Sequence, residues 1–154
     1  MLKKTILIVA FILTTSCGYE TIHSKKNSSN YNFSISNINF SGDRDVNLKI
    51  KQKLNNYILN KKEKEFNLTI KTKVKKEILA KDITGDPISF KNTTIVNVEV
   101  FIKDTLKNKL QIEKNFKYNN KFNKFELKSY ERELKSNLAQ SITEELIFKL
   151  TNIQ

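Results

Sequence analysis

Residues 66–102 read FNLTIKTKVKKEILAKDITGDPISFKNTTIVNVEVFI, and the periodicity of this stretch decides the fold. Phe66, Leu68, Ile70 and Val74 occupy even positions, interrupted only at Thr72, which is the spacing that sends every second side chain of a strand to one face. The apolar alternation lapses again before Ile78 and Ala80, so a bulge or twist is expected in Lys75-Lys76-Glu77. Asp82-Ile83-Thr84-Gly85-Asp86-Pro87 then supplies the only Pro and one of the three Gly of the chain, the composition of a turn. Phe90, Val96, Val98, Val100 and Ile102 resume a strand. The whole stretch is a long hairpin.

Working outward, Tyr31-Asn32-Phe33-Ser34-Ile35-Ser36 alternates apolar with polar and continues to Ile38 and Phe40, a half-buried strand stopped by Ser41-Gly42-Asp43. Asp43 or Asp45 can cap a helix whose positions Val46, Ile50, Leu54, Tyr57 and Ile58 form one stripe. Lys49, Lys51, Lys53 and Asn55 fall outside it. The helix should fray near residues 60–64. After the hairpin, Asp104 to Asn108 reads as a turn, and Leu110, Ile112, Phe116 and Tyr118 as a fourth strand. Beyond Asn119 to Lys124, the positions Leu127, Tyr130, Leu134, Leu138, Ile142, Leu146, Ile147 and Leu150 recur at helical spacing, with Phe122 and Phe125 expected to pack at its start. The order βαβββα makes an α+β two-layer sandwich, a mostly antiparallel four-stranded sheet with two helices on one face. Thr69, Lys71, Lys73, Asn97, Glu99 and Lys103 are assigned to the other, solvated or partner-facing side.

The chain has 154 residues, 28 Lys+Arg against 16 Asp+Glu, and a formal charge of +12. This is one domain's worth of protein, and three Gly with one Pro leave few tight turns for a many-stranded barrel. A single Cys excludes an internal disulfide, and a single His beside it excludes a conventional zinc site. Only Arg44 and Arg132 are guanidinium, so the excess is lysine, part of a Lys, Asn and Ile bias that AT-rich codon usage produces. The charge permits an anionic partner without identifying one.

The N-terminus is more specific. Lys3 and Lys4 precede an unbroken apolar run, Ile6 to Leu13, and Thr14-Thr15-Ser16 leads into Cys17. This is the pattern of a secretory signal peptide, and its apolar run is well short of the ~20 residues of a membrane-spanning helix. Leu13-Thr14-Thr15-Ser16-Cys17 resembles a bacterial lipobox, in which the cysteine thiol accepts a diacylglyceryl group before cleavage at its N-terminal side. Gly18 follows, without the Asp that retains many lipoproteins in the inner membrane, so the expected location is the outer membrane, lipid-anchored on its periplasmic face. Residues 1–16 are then the signal, 17–30 a lipidated polar tether, and 31–154 a single domain. Loss of Lys3 and Lys4 takes the charge of +12 to +10. His23 falls in the tether with no catalytic partner.

Cys17-Gly18-Tyr19, the early strand and capped helix, the paired segments Phe66-Asn-Leu-Thr-Ile and Val98-Glu-Val-Phe-Ile-Lys-Asp, and the terminal helix through Tyr130 and Leu134 together resemble the lipopolysaccharide-assembly lipoproteins, the LptE family. The resemblance runs from Cys17 to the C-terminus. It implies a protein that plugs the LptD outer-membrane β-barrel from the periplasmic side, assists its assembly and helps deliver lipopolysaccharide to the cell surface. Candidate contacts to glycolipid or barrel, chosen from local charge, are Lys75, Lys76, Lys81, Lys91, Lys114 and Lys117. A different outer-membrane lipoprotein, an envelope scaffold or partner adaptor, is the alternative.

Two other classes are disfavoured. Residues 115–125, NFKYNNKFNKF, interleave aromatics with lysines as a single-strand-binding surface does, but export removes the nucleic acid. Paired acids occur at Asp43 with Asp45, Asp82 with Asp86, and Glu144 with Glu145, positions typical of a cap, a turn and a helix surface. No catalytic set, metal or cofactor is expected, and the chain is read as a binding protein and not as an enzyme.

Overall fold

The computed structural model describes residues 31–58 and 61–153, so the signal peptide, Cys17 and the tether lie outside the described residues. In chain order the elements are β1 (Phe33–Gly42), α1 (Arg44–Ile58), β2 (Lys64–Lys81), β3 (Pro87–Ile102), β4 (Thr105–Asn119) and α2 (Lys124–Thr151). The strands lie in the order β1-β2-β3-β4. Because α1 carries the chain back to the end where β1 began, β1 pairs parallel with β2, while β2–β3 and β3–β4 are antiparallel. The sheet is therefore mixed, within the expected βαβββα order.

Apolar periodicity buries one face of this sheet. Val46, Ile50 and Leu54 of α1 meet Ala139, Ile142, Leu146 and Leu150 of α2 over Phe66, Leu68, Ile70, Val96, Val98, Val100 and Ile112 in one cluster. A second, smaller cluster joins Phe90, Tyr118 and Leu134, with Leu127 and Tyr130 against it. It lies nearer the β2–β3 turn, where the first half of α2 packs on the hairpin.

The corner between β1 and α1 is tightly built. Gly42 has φ +96° and stands in register with Thr72. Thr72 Oγ1 lies 2.9 Å from Asn47 Oδ1 and 3.3 Å from both the Ser41 and Asp43 carbonyls. Asp43, not Asp45, caps α1, its Oδ1 accepting from the amides of Asp45 at 3.1 Å and Val46 at 3.0 Å. Its other oxygen sits 3.2 Å from Lys135 Nζ of α2. Asp43→Ala is expected to cost about 1–2 kcal/mol, read as a lower midpoint in urea with an unchanged slope.

Three expectations need correction. The register shifts fall at Ile78–Ala80 and Ala80–Lys81, nearer the turn than Lys75-Lys76-Glu77, which stays paired with Thr93, Asn92 and Lys91. Lys76 can occupy the helix-facing side because Glu131 meets it there at 2.6 Å. The β3–β4 turn is tighter than Asp104 to Asn108: Lys103 and Asp104 have φ of 46° and 63°, the conformation of a two-residue hairpin turn, and β4 begins at Thr105. Lys103 thus belongs to the turn and not to the open face. Finally, Phe122 and Phe125 do not pack at the start of α2 but are 109% and 78% exposed. Asn123 caps the helix, its side chain accepting from the Phe125 and Glu126 amides, and the buried stripe begins only at Leu127.

Candidate functional site

The six lysines separate onto different surfaces. Lys75 pairs with Thr93, and Lys91 lies between Glu77 and Lys117 across neighbouring strands, which puts Lys75, Lys91 and Lys117 on the open face of the sheet. Lys91 Nζ is 4.0 Å from Glu77 Oε2. Lys76 and Lys114 are on the helix side, each 2.6 Å from a carboxylate of α2, Glu131 and Glu145 respectively. Lys81 is the exposed last residue of β2. No single patch holds all six.

The helix-side pair has a structural task. Glu131 Oε1 also accepts from the Tyr118 hydroxyl at 2.8 Å, and Lys76 Nζ stands 3.9 Å from the centroid of Phe90. Burial, reinforced by the bond to Glu131, raises the Tyr118 pKa well above the ordinary phenol value, which keeps the hydroxyl protonated and donating. The hydrogen bond from Lys114, together with Lys149 at 3.3 Å, lowers the Glu145 pKa. These contacts fasten β2 and β4 to α2 and pair both ammonium groups with carboxylates.

At the hairpin's turn end a different surface is assembled. Asp82 Oδ1 accepts from the Thr84 amide at 2.9 Å, the Thr84 hydroxyl at 2.7 Å and the Asp86 amide at 2.8 Å. Led by the Thr84 bond, these contacts hold its carboxyl below the usual range. The turn so fixed presents Ile83 at 104% exposure. Asn120 ties the β4–α2 connection to the same end, its amide donating to the Ile88 carbonyl at 2.8 Å and its side chain to the Pro87 carbonyl at 2.7 Å. Phe122 and Phe125 follow directly. Leu79, Ile88 and Phe116 are also exposed large apolar side chains, and Lys81, Lys117, Lys121 and Lys124 belong to the same segments. An open groove of about 770 Å³, lined by Leu79, Phe116, Lys117, Lys121 and Tyr130 among others, runs beside them.

Large exposed apolar side chains gathered at one end of a small domain make this end the candidate interaction surface, and the same segments carry the lysines. Solved lipoproteins share this fold. The crystal structure of the rare lipoprotein B from Shewanella oneidensis superposes with a TM-score of 0.54 at 14% identity, covering 75% of this chain and 97% of that one. A minor lipoprotein from Acinetobacter baumannii gives a TM-score of 0.54 at 12% identity, covering 77% and 92%. No protein-family model matches the chain, and no curated protein does.

Within this shared lipoprotein fold, the sequence pointed to the central hairpin but to its charge alone. Ile83 reads only as a turn residue, and Phe122 and Phe125 read as core because a phenylalanine next to a helical stripe looks the same buried or exposed. The available signal was their position before Leu127, on either side of the Asn123 cap. Among the described residues no group of three or more His, Cys, Asp or Glu is placed to hold a metal ion.

Proposed function

We propose that this is an outer-membrane lipoprotein, acylated at Cys17, that acts as an LptE-type partner of an LptD-type β-barrel, seating in its lumen and helping to pass lipopolysaccharide to the cell surface. The observation that carries the reading is the turn end of the hairpin, where Ile83, Phe122 and Phe125 stand exposed among Lys81, Lys117, Lys121 and Lys124. Lipid A is an amphiphile with acyl chains and phosphates, and a rigid apolar tip bordered by cations meets both. The fold shared with two lipoproteins and the lipobox-like segment ending at Cys17 support the same reading. β2 is 18 residues long, so the tip stands about 55 Å along the strand from the end where the described chain begins. A domain held at one end by its tether can therefore place the other deep in a barrel.

Binding of lipid A to the detergent-solubilised full-length lipoprotein tests this reading. Ile83→Ser with Phe122→Ser and Lys81→Gln, all at exposed positions, should weaken binding at least about tenfold without lowering thermal stability. Unchanged affinity would remove the glycolipid role from this end of the molecule. Substituting Lys76 or Lys114 should instead loosen the hairpin from α2, lowering stability by about 1 kcal/mol or less.

A further inference from the structure

The two buried clusters are separated by a polar row across the sheet, where Lys76, Asn92 and Phe116 stand in register beside Val74, Thr94 and Lys114. Asn92 and Thr94 are buried, and Thr94 Oγ1 has no hydrogen-bond partner among the described residues. Over this row a cleft of about 360 Å³ opens between α2 and the start of α1. Val74, Lys76 and Asn92 line its sheet side, and Asp45 its α1 side. Lys128, Glu131, Arg132 and Lys135 form the α2 wall.

The charges in the cleft do not cancel. Lys76 is matched by Glu131 at 2.6 Å, and Lys135 by Asp43 at 3.2 Å and Asp45 at 3.4 Å. Lys128 and Arg132 lie one helical turn apart, the spacing that stacks side chains on one helix face, and neither has an ion-pair partner among the described residues. Glu133 lines the neighbouring groove between the helices, which Arg132, Lys135 and Asp45 also border, but not the cleft itself. The residues lining the cleft thus include two unmatched cations beside the Asn92 amide. Arg132 is notable in a chain whose 28 basic residues include only two arginines, because a guanidinium fork fits phosphate oxygens as an ammonium does not.

We infer that this cleft binds a phosphate monoester, whose charge of about −1.5 to −2 complements the two unmatched cations, with Asn92 available as a neutral donor. The site is separate from the turn end of the hairpin and stands or falls independently of lipid A binding there. It is tested by titrating the ¹⁵N-labelled full-length lipoprotein in dodecyl maltoside micelles while following the Asn92 side-chain amide. One arm adds inorganic phosphate. The other adds micelles doped with phosphatidic acid, against phosphatidylcholine as the blank. A saturable shift is expected, and the source of the phosphate is read from the arm that produces it: free phosphate from the first, a lipid headgroup from the second. Lys128→Gln with Arg132→Gln should weaken it at least about tenfold, while the charge-matched Lys103→Gln with Lys107→Gln, at the far turn, leaves it unchanged. No saturable shift in either arm, or equal weakening by both variant pairs, overturns the site.

Discussion

Gly42→Ala should destabilise the domain by about 3–4 kcal/mol. Gly42 has φ +96°, and a Cβ built there would stand 1.9 Å from the Thr72 carbonyl oxygen and 2.8 Å from its carbon. The first term is the steric cost of that backbone region for any residue with a side chain. The second is a collision with the backbone of β2 at its middle, which no rotamer change relieves. Moving Thr72 aside also disturbs its hydroxyl contacts to Asn47 and its carbonyl contact with the Asp43 amide at 3.4 Å, so the β1–α1 corner loosens with it. Gly85→Ala separates the two terms, because φ there is +92° with no atom within 4 Å of the added Cβ. That substitution should cost only about 1 kcal/mol. Urea denaturation followed by far-UV circular dichroism reads both, and equal losses at the two glycines would contradict the close approach of Gly42 to Thr72.

Phe66→Ala is expected to cost a similar amount, about 3–5 kcal/mol. The ring is fully buried, with its centroid 5.4 Å from that of Phe33, and Phe33 in turn stacks on Tyr57 at 5.3 Å with an 8° tilt. Lys64 Nζ lies 5.6 Å from the Phe66 centroid, so truncation also removes a cation–π contact. Tyr31 packs on Tyr57 at 5.3 Å, and the cavity would open at the end of the domain where the described chain begins. Phe116→Ala is the comparison: Phe116 is 42% exposed on the edge strand, and its loss should cost about 1 kcal/mol or less. A Phe66 variant as stable as the Phe116 variant would mean that this aromatic group is not part of the cooperative core.

The fold was legible where periodicity was clean. The stripe from Val46 to Tyr57, the alternation of Phe66, Leu68 and Ile70 and the turn at Asp82–Pro87 each dictated their element, because burial on one face imposes a period that composition bias does not erase. Pairing partners were less legible. That β1 lies parallel beside β2 depends on where α1 returns the chain, which no residue of β1 encodes. In β3, Asn92 and Thr94 interrupt the apolar series although both face the helices, since the sheet carries a polar row between its two clusters. The lysines show the same limit at finer scale: Lys75 and Lys76 are adjacent and chemically identical, yet pleating sends one to the open face and the other to Glu131. Local charge could nominate the hairpin but could not sort its faces. Exposed apolar residues at the tip were invisible for a related reason, because hydrophobicity suggests burial until the structure shows that nothing covers it.

Affinity purification of the full-length, acylated protein from outer membranes solubilised in mild detergent tests the proposed partnership most directly. The expected result is stoichiometric recovery of an LptD-type β-barrel in a complex that survives high salt. Recovery with peptidoglycan or an inner-membrane complex, and no barrel, would contradict it.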